Sequence, residues 1–251
     1  MLVENYVINL KSRPDRLEVF KQKNFKNFDR IKIFEAYDGK EVSRTALVEE
    51  NFILEENTYQ ETALAVALSH VHLWKMCVET NQIITVIEDD VVLEDDFFKI
   101  QEDLIRINSD FDIMLFGFNA DWPLEVSFGN GLPKSTILFE AQPEEFFKTK
   151  TYSTPKLEAF AGCCCYAITP RGAKIFLETI LPLGGGYYPL RVFKAPYGGD
   201  FTKAEWCNSG VDVAMSMCLQ NMIAKVCLPP IAIPANNWAD SSFERKGHSV
   251  Y

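Results

Sequence analysis

Residues 83–90 read Ile-Ile-Thr-Val-Ile-Glu-Asp-Asp, an apolar strand pattern that ends in three acids. The apolar run predicts a buried strand, and the acids place negative charges at its carboxyl end. Carboxylates crowded in this way repel one another unless a cation or a shared proton relieves them, and a divalent metal with oxygen ligands is one such cation. The carboxyl end of a strand is also where open α/β sheets bind ligands. A solvated turn of acids is the alternative interpretation of this triplet.

A second acidic triplet, Glu94-Asp95-Asp96, follows shortly after the first. It precedes a helical pattern over 97–105, and acids at a helix start bond to free amide groups and favour the helix dipole. We therefore interpret the second triplet as a helix cap. The first triplet has no helical pattern behind it, which makes it the better candidate for a binding site.

The composition is that of an ordinary globular protein, with 251 residues of which 47% are hydrophobic and 24% charged. A net charge of −10 disfavours a nucleic-acid-binding protein, which would carry a basic surface stripe. The seven cysteines are odd in number and form no CxxC pair, which disfavours a disulfide framework and a structural zinc site. We find neither a secretion signal nor a bilayer-spanning run. We therefore expect a cytoplasmic protein with at most peripheral membrane association.

Short apolar strands alternate with helical patterns, which predicts an α/β fold with a mostly parallel central sheet flanked by helices. In the first half the pattern predicts strands at 6–10, 31–34, 83–87 and 112–116, and helices that begin near 14, at a capping box formed by Thr58 and Glu61, and after 96. In the second half it predicts strands at 134–139, 157–160, 163–168 and 226–233, helices at 171–180 and 208–222, and a loop over 181–206. Thr169 is the predicted N-cap of the helix at 171–180.

The first strand runs into a turn that carries an amide and two arginines. Asn9 and Leu10 end the strand, and Arg13 and Arg16 follow. Such a strand end can contact a base while an arginine binds phosphate, which makes the turn a candidate nucleotide-binding segment. The alternative is a βα turn in which Arg16 pairs with a nearby acid.

Ser69 and His70 lie on the long helix that follows the capping box. His70 falls at the edge of the apolar stripe, near Ala67 and Trp74, which predicts a half-buried ring. A lone half-buried histidine is more often a core residue with a hydrogen-bond partner than a ligand. His70 and His72 diverge on a helix, so they do not form a ligand pair.

Taken in order, these segments resemble a known family. The resemblance is carried by the strand and turn at 7–16, by Ala67-Leu68-Ser69-His70 with Trp74, and by residues 87–91. The chain is similar to glycosyltransferase family 25, which includes bacterial lipooligosaccharide β-galactosyltransferases and the galactosyltransferases that modify collagen hydroxylysine. Residues 162–169, with Gly172 and Ala173, resemble the family's small-residue strand before a helix. Asp212, Ser241 and Ser242 lie where the family's C-terminal aspartate and serine occur.

The resemblance implies a GT-A fold, a nucleotide-sugar donor that is most often UDP-galactose, and Mn²⁺ or Mg²⁺ at a Glu-Asp-Asp version of the Asp-x-Asp motif. It also implies inversion at the anomeric carbon. Inversion needs a cation to neutralise the leaving diphosphate and a base to deprotonate the acceptor hydroxyl. We expect one domain, with residues 1–120 as the nucleotide-sugar-binding half and 121–251 as the acceptor-side half.

The resemblance also assigns roles to individual residues. Asp90 and Glu88 are expected to bind the metal, with Asp89 and Glu88 against the ribose or metal-bound waters. Asp212 is the candidate base, and a helix cap formed with Asn208 and Ser209 is its alternative role. The other candidate donor-binding residues are Asn9, Leu10, Arg13, Arg16, Asp38, Ser69 and His70. His248 is a less favoured third metal ligand.

The sequence therefore predicts a metal-dependent, inverting glycosyltransferase that moves a hexose, with galactose favoured, from a UDP-sugar to a hydroxyl of a glycan, lipooligosaccharide or glycoprotein. Two alternatives stay open. One is another nucleotide-dependent transferase. A nucleotidyltransferase would need a glycine-rich, lysine-bearing loop after the first strand, and residues 9–12 contain no glycine. The other is a catalytically inactive relative that binds glycan or acts as a scaffold. The aromatic residues within 181–206 suit either stacking on acceptor sugars or packing of an irregular subdomain.

Overall fold

The computed structural model describes residues 2–120, 122–129, 131–132, 134–139, 143–193 and 201–235. For residues 143–144, 187–193 and 201–206 it describes the backbone alone. Ser241, Ser242 and His248, which the sequence singles out, lie outside the described residues, and so do the side chains of all six aromatic residues within 181–206.

Strands and helices alternate along the first half of the chain. The strands are β1 (Val3–Asn9), β2 (Lys32–Glu35), β3 (Ile83–Glu88), β4 (Val91–Leu93), β5 (Ile113–Gly117), β6 (Leu124–Ser127), β7 (Ser135–Ile137), β8 (Lys156–Ala159), β9 (Cys165–Ile168), β10 (Tyr187–Phe193), β11 (Phe201–Cys207), β12 (Ala224–Val226) and β13 (Ala232–Pro234). The α-helices are α1 (Pro14–Lys23), α2 (Arg44–Glu49), α3 (Glu61–Thr80), α4 (Phe97–Ile107), α5 (Pro170–Thr179) and α6 (Val211–Cys218). Short 3₁₀ helices cover Phe28–Arg30, Gly39–Glu41, Pro143–Lys148 and Leu219–Asn221.

Within the described residues, one large sheet has the strand order β2-β1-β3-β9-β5-β12-β8-β6-β7. β1 pairs in parallel with β2 and β3, and β5 pairs in parallel with β12. β9 runs antiparallel between β3 and β5, and β8, β6 and β7 continue the sheet with antiparallel pairing. Most strands therefore point in one direction. The predicted α/β fold with a mostly parallel central sheet flanked by helices is confirmed.

β3 lies at the centre of the hydrophobic packing, with its alternate side chains in two different cores. Ile84 and Val86 belong to the core that holds Trp74 of α3. Ile87 belongs to the core on the other face, with Phe97 of α4. A strand covered on both faces needs apolar side chains at successive positions, which explains the unbroken apolar pattern of the sequence.

The parallel pairing brings the carboxyl ends of β1, β2 and β3 to one edge of the sheet. In the register, Ile8 lies opposite Glu88 and Asn9 lies opposite Glu35. After Glu88 the chain turns and enters β4, and the backbone carbonyl of Asp90 accepts a hydrogen bond from the Ala235 amide at 3.0 Å. The three acids are thereby held at the sheet edge where the ends of parallel strands meet.

Three predictions about local structure are corrected. Thr58 and Glu61 do not form a capping box, because α3 begins at Glu61 with Gln60 as an N-cap that makes no side-chain bond. The predicted loop over 181–206 contains β10 and β11, which pair as antiparallel strands. The strand predicted over 226–233 is two strands, because the chain leaves the large sheet after β12 and joins β4 through β13.

The second acidic triplet lies at the start of α4 as predicted, but it forms no capping bond. Asp96 occupies the N-cap position without a side-chain hydrogen bond to the helix. Glu94 instead accepts a bond from the Asp96 amide at 2.5 Å, and Asp95 forms an ion pair with Lys26 at 2.5 Å. By contrast, the predicted cap of α5 is confirmed, since Thr169 Oγ1 accepts a bond from the Gly172 amide at 3.1 Å.

Candidate functional site

Three other carboxylates lie close enough to Glu88, beyond the end of β3, to affect its pKa. Glu88, Asp89 and Asp90 come from the β3–β4 connection, and Asp212 comes from the first turn of α6. Burial raises the pKa of Glu88 to about 8, and the charges of Asp90, Asp89 and Asp212 add to this rise. The carboxylate of Glu88 is therefore costly to ionise in this environment, and a cation placed here would relieve the repulsion.

Asp89 is bound by two neighbours from the first strand and helix. Asn9 Nδ2 donates to Asp89 Oδ2 at 2.7 Å, and the Arg16 guanidinium contacts Asp89 Oδ1 at 2.5 Å. Burial raises the pKa of Asp89, while Arg16 and the Asn9 hydrogen bond oppose the rise. Arg16 thus makes the ion pair that the sequence left open as the alternative to a phosphate contact. A cation at this edge would be bound mainly by the carboxylates of Glu88 and Asp90.

The side chain of Asp212 forms a hydrogen bond with the loop before β9 and does not cap α6. The N-cap of α6 is Gly210, which makes no side-chain bond, and Asp212 Oδ2 accepts a hydrogen bond from the Gly162 amide at 2.9 Å. Asn208, a proposed partner in the capping alternative, accepts a hydrogen bond from the Tyr59 hydroxyl at 2.6 Å. The capping alternative is therefore wrong for Asp212, and its carboxylate lies close enough to Glu88 to raise the pKa of that residue.

Gly162 is required at this position for two reasons, and Gly162→Ala is expected to cost about 3 kcal/mol of folding free energy. Its φ of +74° lies in the left-handed region, and a Cβ would collide with the side chain of Asn119. Gly129 is a matched control, because its φ is +77° and a Cβ there would have no neighbour within 4 Å. Gly129→Ala should cost only about 1 kcal/mol, which is the backbone contribution. Urea unfolding measures both values, and equal losses would contradict the role of the Asn119 contact.

His70 is fully buried, not half-buried as predicted, and it takes part in a polar network inside the protein. Its Nδ1 lies 2.8 Å from the Tyr166 hydroxyl, which also accepts a hydrogen bond from Trp74 Nε1 at 2.8 Å. Burial lowers the pKa of His70 to about 4, so the ring is neutral at physiological pH. Its Nε2 faces Cys163 Sγ at 3.8 Å, and Cys163 Sγ lies 3.9 Å from Glu88 Oε1. The network therefore reaches the acidic cluster.

Ser69 forms two hydrogen bonds near the ends of the parallel strands. Its hydroxyl donates to the Ala65 carbonyl at 2.9 Å and accepts a hydrogen bond from the Tyr37 amide at 3.1 Å. Ser69 is fully buried, and the bond to Tyr37 ties α3 to the segment that follows β2. The contacts of Ser69 are thus those of a residue that positions this segment.

A cavity of about 560 Å³ opens beside the ends of β1 and β2. It is lined by Leu10, Lys11, Ser12, Phe34, Glu35, Ala36, Tyr37, Asp38, Glu41 and His72. Two of the predicted donor-binding residues, Leu10 and Asp38, therefore belong to this cavity. Arg13 instead forms an ion pair with Asp15 at 2.8 Å.

The sequence missed three residues at this edge of the sheet. Tyr37 and His72 line the cavity, and the Tyr37 hydroxyl lies 3.0 Å from His72 Nδ1. Cys163 contacts both His70 and Glu88. Tyr37 follows a predicted strand end and could have been found from that position. The contacts of His72 and Cys163 join distant segments, and no local pattern signals them.

The described helices include none that is both long and apolar enough to cross a bilayer. All seven cysteines fall within the described residues and carry free thiols there.

The fold and the site together define an α/β protein with a cavity and a carboxylate cluster at the carboxyl ends of its parallel strands. The chain belongs to glycosyltransferase family 25, whose model, described as an LPS biosynthesis protein, matches residues 2–188. The predicted family and the general activity of a glycosyltransferase are thereby confirmed. The metal, the donor sugar, the acceptor and the roles of individual residues stay predictions.

Three solved structures are similar to the chain at low identity. A197 from STIV is 14% identical, with 90% of this chain and 81% of that chain covered and a TM-score of 0.38. A putative glucose-1-phosphate thymidylyltransferase from Bacillus anthracis, in complex with a sucrose, is 12% identical, with coverage of 70% and 75% and a TM-score of 0.35. S. aureus TarS 1–349 in complex with UDP-GlcNAc is 12% identical, with coverage of 100% and 62% and a TM-score of 0.41. These scores are too low to carry a conclusion about function. No curated protein matches the chain.

Proposed function

We propose that this glycosyltransferase is metal-dependent and inverting, and that it moves a hexose, with galactose favoured, from a UDP-sugar to a hydroxyl of a glycan or glycoconjugate such as lipooligosaccharide. The observation that carries the proposal is the grouping of Glu88, Asp89, Asp90 and Asp212 at the end of β3. Burial raises the pKa of Glu88, and the charges of Asp90, Asp89 and Asp212 raise it further. The family supports the sugar transfer, and the charges support the metal.

The donor set fits a hard divalent cation. Carboxylate oxygens are the ligands that Mg²⁺ and Mn²⁺ prefer, and such ions are commonly held by one or two carboxylates together with substrate phosphates. Glu88 and Asp90 would hold the cation here, because Asp89 is bound to Arg16 and Asn9. The cation would neutralise charge on the leaving diphosphate.

The cavity beside β1 and β2 suits the nucleoside of the donor. Phe34 and His72 pack edge to face with ring centroids 5.2 Å apart, and together with Tyr37 they give the cavity an aromatic side. Asp38 supplies a carboxylate that can accept hydrogen bonds from ribose hydroxyls. Leu10 links this cavity to the cluster, because the preceding residue, Asn9, bonds to Asp89.

Asp212 is the proposed base that takes the proton of the acceptor hydroxyl. Its bond to the Gly162 amide uses one of its two carboxylate oxygens and fixes the direction of the side chain. An ionised carboxylate held in this way can accept a proton as the hydroxyl oxygen attacks the anomeric carbon. The leaving nucleoside diphosphate departs on the opposite face of the sugar, which gives inversion.

We also propose that the protein acts in the cytoplasm with at most peripheral membrane contact. Its seven free thiols, six of them buried, favour a reducing compartment.

Thermal unfolding with a panel of nucleotides tests the donor. We expect UDP with Mn²⁺ to raise the melting temperature, and we expect smaller shifts from GDP or CMP with Mn²⁺, because the cavity would accept one base. UDP alone and Mn²⁺ alone are the controls, and each should stabilise less than the pair, because stabilisation of the folded state increases with the logarithm of the ligand concentration over its dissociation constant. Equal shifts from all three nucleotides, or no shift from any, would overturn the proposed UDP-sugar donor.

A further inference from the structure

We propose that His70, Glu88 and Cys163 form a binding site for Zn²⁺ or a metal of similar softness, separate in chemistry from the oxygen-ligand pair of Glu88 and Asp90. The three residues offer one nitrogen, one oxygen and one sulfur atom, and these atoms all lie within 4.8 Å of one another. Among the described residues they are the cluster of histidine, cysteine and acidic side chains with metal-binding geometry. Mixed nitrogen and sulfur ligands favour zinc over magnesium or manganese.

The distances are close to those of a tetrahedral zinc site. Cys163 Sγ lies 3.8 Å from His70 Nε2 and 3.9 Å from Glu88 Oε1. Zinc bonds of roughly 2.3 Å to sulfur and 2.0–2.2 Å to nitrogen and oxygen place neighbouring ligand atoms about 3.5 Å apart in a tetrahedron. Shifts of a few tenths of an ångström would therefore bring the sulfur contacts into range. Three protein ligands leave a fourth position for water or another ligand.

The histidine is already oriented as a metal ligand requires. Its Nδ1 lies 2.8 Å from the Tyr166 hydroxyl, and Trp74 Nε1 holds that hydroxyl from the other side at 2.8 Å. The Tyr166 and His70 rings also stack, with an interplanar angle of 13°. A polar partner on one ring nitrogen fixes the ring and directs the other nitrogen, here Nε2, toward the metal.

The electrostatic surroundings favour a cation at these ligands. Asp90, Asp89 and Asp212 all place negative charge near Glu88. His70 and Cys163 are almost completely buried, whereas Glu88 is partly exposed, so a metal would reach the site from the Glu88 side. A metal binds cysteine as the thiolate, so the Cys163 proton is released to solvent when the metal binds.

Cobalt titration of the purified, metal-free protein tests the site, because Co²⁺ replaces Zn²⁺ and reports thiolate ligation by a charge-transfer absorption. We expect one equivalent of Co²⁺ to produce this absorption in the wild-type protein and Zn²⁺ to abolish it. Cys163→Ser should lose the absorption. Cys165→Ser and Cys207→Ser should keep the absorption, because neither thiol belongs to the proposed ligand set. Cys165 is the control for a buried thiol, and Cys207 is the control for an exposed thiol.

Two results would overturn the proposal: a wild-type titration without thiolate absorption, or an absorption that survives in Cys163→Ser. If Cys163→Ser fails to fold, the wild-type titration still tests whether a thiolate binds the metal. The test is distinguishable from that of the sugar transfer, because Mn²⁺ and UDP should still stabilise Cys163→Ser through Glu88 and Asp90. A wild-type protein that shows no thiolate absorption with Co²⁺ but a normal response to UDP and Mn²⁺ would reject the zinc site alone.

Discussion

Asp90→Asn should abolish the Mn²⁺-dependent stabilisation by UDP and lower the rate of sugar transfer by on the order of 100-fold or more. The substitution keeps the shape of the side chain and removes a negative charge beside Glu88. A cation at this edge would then have one carboxylate fewer, and the charge on the leaving diphosphate would be less well neutralised. Melting temperatures with Mn²⁺ and UDP, and the release of UDP from UDP-galactose in the presence of oligosaccharide acceptors, measure both effects.

Asp95→Asn is the matched control for Asp90→Asn. Asp95 belongs to the second acidic triplet, is exposed, and pairs with Lys26 at the protein surface. Its loss should leave both the UDP response and the transfer rate unchanged. If the two variants behave alike, the distinction between the two triplets is wrong, and the cation is not bound at the end of β3.

Asp212→Asn should reduce the transfer rate by roughly 10²- to 10⁴-fold, the usual contribution of a general base. An asparagine oxygen can still accept the hydrogen bond from the Gly162 amide, so the loop before β9 should keep its position. The affinity for UDP with Mn²⁺ should change little, because Asp212 is assigned to the acceptor. Transfer rates and UDP dissociation constants, measured on the same preparation, separate the two effects.

Glu61→Gln serves as the control for Asp212→Asn, because it also neutralises a carboxylate in the first turn of a helix. Glu61 is exposed at the start of α3, and its loss should not slow transfer. A transfer rate for Asp212→Asn within a few-fold of wild type would exclude this residue as the base. A comparable loss of UDP affinity would indicate a role in donor binding instead.

The sequence indicated several of the strands and helices because burial leaves a local pattern. The run at 83–87 is apolar at successive positions, since β3 is covered by α3 on one face and α4 on the other. The N-cap at Thr169 was likewise visible, because a cap depends on residues three apart. The predicted capping box at Thr58 was wrong, because a short motif gives the residue types but does not fix where the helix begins. The helix α3 begins at Glu61, with Gln60 as its N-cap.

Local sequence patterns did not predict which residues contact the site residues. Arg16 and Asp89 are far apart in the chain, and they meet because β1 and β3 are neighbours in the sheet. Cys163 reaches His70 and Glu88 because the chain returns as β9, antiparallel to β3. Strand order and direction follow from the packing of the whole chain, which periodicity along one segment does not encode.

The sequence by itself determined that a buried strand ends in Glu88, Asp89 and Asp90, and that the chain resembles glycosyltransferase family 25. Only the tertiary structure decided how these acids differ. Asp89 is paired with Arg16, Glu88 faces Cys163, and Asp212 joins the cluster through Gly162. The physical reason is that composition fixes how many carboxyl groups the chain has, whereas their pKa values and their partners depend on the burial and the distances that folding creates.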